Sequence, residues 1–136
     1  MKILPLVIIL ILLPLVAGGT TEADSLAVER ELSTVPADEQ VAFLVARADA
    51  VQRNDPRLSL ALARRALDLA RLRGERSGQA NALAAAGIGL YYLGDYRQAL
   101  RHYQEGLSLA EILQDPRITS NFLNNIGIIY FVWGEH

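Results

Sequence analysis

His102 and His136 are the only imidazoles in this 136-residue chain, and neither has the neighbours that catalysis or metal binding needs. His102 stands on a helical pattern among Arg101, Gln104 and Glu105, and the residue four further on is Gly106, which offers no ligand. A surface role fits it, and His136 is the terminal residue. The acids give no catalytic pair. Glu29 and Glu31 are two apart and face different sides of a helix, while Asp38-Glu39 suit a first helical turn, where carboxylates favour the dipole. No serine sits in an elbow motif, so a Ser-His-Asp set cannot be assembled by spacing. Gly87-Ile88-Gly89 has two of the three glycines of a phosphate loop but follows no strand, and packing inside a helix explains it better. Without Cys there is no disulfide, thiolate nucleophile or Cys-ligated metal. The residues point to no enzyme activity, no cofactor and no metal.

The basic residues carry the next possible chemistry. Arg57, Arg64, Arg65, Arg71, Arg73 and Arg76 fall on or beside one helical segment, as a phosphate- or membrane-binding stripe would. They wind around that helix, however, and Asp68 and Glu75 stand four residues after Arg64 and Arg71, a spacing for ordinary surface pairs. After Gly19 all basic residues are Arg: 13 Lys and Arg less Lys2, against 15 acids, leaves a formal charge of −3. No net field favours nucleic acid.

The elements that would position these groups begin with a segment to be set aside. Met1-Lys2 is a basic head, Ile3–Val16 is uncharged and apolar, and Ala17-x-Gly19 has the small-x-small cleavage pattern of a secretory signal. An uncleaved anchor is the alternative, although Ile3 to Gly19 spans 17 residues and Pro5 and Pro14 interrupt it, against the ~20 apolar residues a membrane crossing needs. Residues 1–19 are thus read as a leader, 20–36 as an N-terminal helix (Glu22–Leu32) and linker, and 37–136 as repeats. The leader places the chain outside the cytoplasmic membrane, in the periplasm or cell envelope, with membrane contact only through an uncleaved leader.

The sequence matches itself at a shift of 40: Asp55 meets Asp95, Leu60 meets Leu100, Leu67 meets Leu107, and Ala70 meets Ala110. The same shift pairs Asn81, Leu83, Gly87 and Gly94 with Asn121, Leu123, Gly127 and Gly134. Units 37–76 and 77–116 each read as two helices, and 117–136 as a truncated unit with the first helix alone. First helices are expected over Ala37–Arg53, Ser77–Leu93 and Arg117–Trp133, and second helices over Pro56–Arg73 and Tyr96–Gln114. Asp55-Pro56 and Asp115-Pro116 give an acceptor for orphan N–H groups followed by Pro at the first helical position. Asn54, Gly94 and Gly134 sit where sharp turns are needed, and Gly74 ends an Arg-rich helix.

In its middle unit the chain resembles the tetratricopeptide repeat: Leu83, Gly87, Gly94, Tyr96, Ala99, Tyr103, Gly106 and Leu107 lie at that motif's spacings. The third unit repeats Leu123, Gly127, Tyr130 and Gly134, whereas the first departs from it, with Arg47 for the helix-crossing Gly and Pro56 for the Tyr. The period of 40 resembles the longer-helix variant found in the maltose-regulon activator and kinesin light chains. The resemblance implies an all-α, right-handed solenoid of antiparallel helix pairs, with first helices lining a concave groove. Small residues at Gly87, Ala99 and Gly106 let helices approach while Tyr96 and Tyr103 fill the gaps.

On that architecture the groove positions include Asn81, Tyr91, Tyr92, Asn121, Asn124, Asn125, Ile128 and Phe131. Mid-helix Asn is unfavourable for a helix, and its amide both donates and accepts, as an extended peptide backbone requires. Helix capping and bonds to the neighbouring repeat are the competing roles. The third unit stops at Trp133-Gly134-Glu135-His136 without a second helix. A truncated or fragmentary reading frame accounts for that, as does a last helix that packs on a second copy, and the isolated chain is expected to self-associate or to be only partly folded. The function implied is an exported scaffold binding a protein or peptide segment. The alternative is the extracytoplasmic sensory part of a membrane kinase or nucleotide cyclase, and a third reading is a cytoplasmic regulator.

Overall fold

A computed structural model of the chain describes residues 22–134. The leader assigned to residues 1–19, together with His136, lies outside them. The described residues form α1 (Glu22–Leu32), a 3-10 turn (Ala37–Glu39), α2 (Gln40–Val51), α3 (Pro56–Arg73), α4 (Arg76–Tyr92), α5 (Tyr96–Leu113) and α6 (Pro116–Gly134), with no strand among them. The repeat is visible in the elements, since α3 and α5 begin 40 residues apart, as do α4 and α6.

Carboxylates start the helices. Asp55 Oδ1 accepts from the Leu58 N–H at 3.0 Å, with Pro56 at the first helical position. Asp115 Oδ1 accepts from the N–H groups of Arg117 and Ile118, each at 3.1 Å. Asp95, whose capping the sequence reading did not single out, accepts from the Gln98 N–H at 3.1 Å and from Gln98 Nε2 at 2.6 Å. Each cap satisfies donors that the first helical turn leaves without a partner.

Left-handed residues stop the helices at intervals of twenty: Gly74 (φ 67°), Gly94 (φ 79°) and Gln114 (φ 53°). The next N–H in each case reaches back to the last turn, from Glu75 to Ala70 O, from Asp95 to Leu90 O and from Asp115 to Ala110 O. Asn54 lies in the turn after α2, as expected, but keeps a negative φ, because the Asp55 N–H closes α2 on Val51 O without a left-handed residue. One turn assignment needs correction. Gly134 is the last residue of helix α6 and not a turn.

Packing proceeds from neighbour to neighbour: α2 on α3, α3 on α4, α4 on α5 and α5 on α6. In addition α2 touches α4, and α4 touches α6, so these three helices lie side by side on one face. Helices α3 and α5 stand farther apart and are bridged by Arg71 Nη2, 2.7 Å from Glu105 Oε1. That pairing replaces the expected partnership of Arg71 with Glu75. The six arginines of the basic segment are all exposed, as a solvated outer helix requires.

Helix α4 is buried on nearly all sides, through Ala82, Leu83, Ala85, Ala86, Gly87, Gly89 and Leu90. Its two central glycines face opposite neighbours. A Cβ on Gly87 would lie 2.3 Å from the Tyr103 ring of α5, and one on Gly89 would lie 3.2 Å from the Leu60 backbone of α3. Gly106 of α5 repeats the first arrangement with the Phe122 ring of α6, at 2.2 Å. Glycine is required there because an aromatic ring already fills the side-chain volume. Ser59, the one buried polar residue among the described residues, donates to Ala48 O at 2.9 Å and ties α3 to α2. Helix α1 buries Val28 and Leu32 and is held by Glu29–Arg65 (2.9 Å) and Glu31–Arg47 (3.3 Å).

Candidate binding cleft

The face shared by α2, α4 and α6 contains a cleft of about 290 Å³, lined by Gln52, Ile88, Tyr91, Tyr92, Tyr103, Asn125 and Ile128. Four of the groove residues expected from sequence therefore come together: Tyr91, Tyr92, Asn125 and Ile128. Asn81 lines a separate cleft of about 320 Å³ between α2 and α4, beside Asp38, Asp49 and Glu75. Asn121, Asn124 and Phe131 are exposed but line neither cleft.

Two residues of the tyrosine cleft were missed as groove positions. Tyr103 comes from α5 and reaches the cleft through the slot at Gly87. Gln52 closes α2, and the shift of 40 that relates the repeats places it at the position of Tyr92. That equivalence was the signal that could have found it.

The tyrosines form a connected group. Tyr91 and Tyr92 meet edge to face at 5.3 Å between centroids, and Tyr91 lies 5.7 Å from Tyr96. Burial, reinforced by the nearby Tyr91 and Tyr92, pushes the Tyr103 phenol well above its ordinary range, so it stays a neutral O–H. Arg53 Nε donates to the Tyr92 hydroxyl at 3.2 Å, which brings to the rim a cation that the groove assignment from sequence did not include. Gln52 Oε1 is buried without a hydrogen-bond partner, the one such side-chain N or O atom among the described residues. An acceptor in that state carries an uncompensated desolvation cost until a donor reaches it.

Among the described residues no three His, Asp or Glu side chains converge on a metal-sized site. His102 uses Nδ1 to bond Gln98 O, one turn back, at 2.9 Å. No helix of the described residues is long and apolar enough to cross a membrane. The cleft thus offers aromatic faces, hydroxyls and two amides, a set suited to recognition. No family model, curated protein or solved structure matches this chain.

Proposed function

We propose that the chain is a non-catalytic scaffold of tetratricopeptide-like helix pairs that holds an extended segment of another protein across α2, α4 and α6. The contacts among these three helices, with α3 and α5 farther apart, support a solenoid whose inner curve they line. The observation that carries the reading is the orphaned acceptor of Gln52 in a cleft walled by Tyr91, Tyr92 and Asn125. Rotation of the Gln52 amide toward the cleft presents that acceptor to a peptide N–H, the Asn125 amide meets the peptide group on both its donor and acceptor sides, and the tyrosines flank a side chain. At about 290 Å³ the cleft sits at the lower end of small-molecule pockets, roughly 300–1,000 Å³, and it accommodates one side chain of a longer segment. The neighbouring cleft, with Asp38, Asp49 and Glu75 and no base, favours a basic residue further along the same segment. Export of this scaffold rests on the leader alone.

The test is a peptide-array screen against the purified chain, repeated with Tyr92→Ala, Asn125→Ala and Gln52→Met. Ligands of the cleft lose binding with each variant and retain it with Asn124→Ala. If every ligand found binds all these variants equally, the cleft is not the site.

A further inference from the structure

Helix α6 presents a face that the rest of the fold leaves uncovered. The equivalent face of α4, carrying Leu83, Gly87 and Leu90, is buried against α5, with the Tyr103 ring seated at Gly87. On α6 the corresponding residues are Leu123, Gly127 and Tyr130. Leu123 is 54% exposed and Tyr130 56%, and a Cβ on Gly127 would meet nothing within 4 Å. Gly134, on the same stripe, is equally open.

We infer that this stripe pairs with the same stripe of a second copy, as an antiparallel, two-fold α6–α6 contact. Leu123, Gly127, Tyr130 and Gly134 follow one another at spacings of four, three and four, which reads the same in both directions. Their sizes alternate large, small, large, small. An antiparallel copy therefore sets Tyr130 opposite Gly127 and Leu123 opposite Gly134, and the symmetry repeats both pairs. Ring-on-glycine is the contact this fold already makes twice, at Gly87 with Tyr103 and at Gly106 with Phe122.

Charge and area agree with a self-pairing. From Ile118 to Gly134 the helix has no ionised side chain, so two copies meet without repulsion and with opposed helix dipoles. Phe131 (67% exposed) flanks the stripe. With it, the exposed portions of Leu123 and Tyr130 come to roughly 400 Å² per copy, about 800 Å² in total, the size of a weak, concentration-dependent pairing. Asn125 and the tyrosine cleft lie around the helix from the stripe and stay open in the pair.

The experiment is sedimentation equilibrium of the full chain and of Gly127→Ala. In one copy the new methyl meets nothing, and Ala is the better helix former, so α6 is not harmed. In the pair it occupies the volume of the partner's Tyr130 ring, and the dimer dissociation constant rises by about tenfold or more. A second readout uses the absence of Cys. Mixing Gly127→Cys with Tyr130→Cys chains gives a disulfide-linked dimer under oxidation, whereas mixing Leu123→Cys with Gly127→Cys does not. A chain that is monomeric at every concentration overturns the inference, as does association that Gly127→Ala leaves unchanged.

Discussion

The ring of Tyr103 occupies the volume that a side chain on Gly87 would need, with its Cε1 2.3 Å from the ideal Cβ position. The ring cannot give way easily, because Tyr103 is only 3% exposed and helices α4 and α5 enclose it. Gly106 stands in the same relation to Phe122, which is 1% exposed. Gly87→Ala and Gly106→Ala each therefore lower unfolding free energy by about 1–3 kcal/mol in denaturant titrations, even though Ala favours the helix. Gly127→Ala, with no such ring in its own chain, does not destabilise.

Gln114 is the only non-glycine residue with a positive φ among the described residues, at 53°. It ends α5 where Gly74 and Gly94 end α3 and α4. A Cβ in that region costs about 1–2 kcal/mol relative to glycine. Gln114→Gly is expected to stabilise the chain by about 1 kcal/mol, offset in part by the extra freedom glycine gives the unfolded state. Thermal melts of the two proteins compare them directly.

Glu29 of α1 accepts from Arg65 Nε of α3 at 2.9 Å, and this hydrogen bond lowers its pKa below the ordinary glutamate value. A carboxyl depressed in the folded state contributes stability above its unfolded pKa, and that contribution is lost as pH falls through the folded value. The pair is about half exposed, so its effect stays within about 1 kcal/mol. Glu29→Gln should lower the melting temperature slightly at neutral pH and make no difference once the pH is below the depressed pKa. A constant difference at every pH would show that packing of α1, not charge, is responsible.

Gln52 sets stability against binding. Gln52→Met keeps the shape and removes the buried acceptor that lacks a partner, so the unliganded protein gains about 1 kcal/mol or more. The same change removes the group that a peptide N–H would meet. Melts and peptide titrations on one preparation check both halves, and a variant that loses stability would mean the amide is satisfied.

The sequence by itself determined the helices and most of their ends. A shift of 40 set two helices per unit, Asp-Pro pairs marked two starts, and Gly74 and Gly94 marked two stops. These are local effects: a carboxylate capping the N–H groups two or three residues on, or a backbone angle that glycine alone adopts freely. It could not show that Gln114 would take the left-handed position, since the two helices it joins force that angle against the residue's own preference. It also could not select the cleft. Eight residues shared the groove pattern, but only Tyr91, Tyr92, Asn125 and Ile128 meet around Gln52. Which side of a buried helix reaches a common cleft depends on how α2, α4 and α6 cross, and those angles come from side chains packing across the repeats. The tertiary structure likewise separated the glycines: Gly87 and Gly106 hold rings, while Gly127, identical in pattern, is left open.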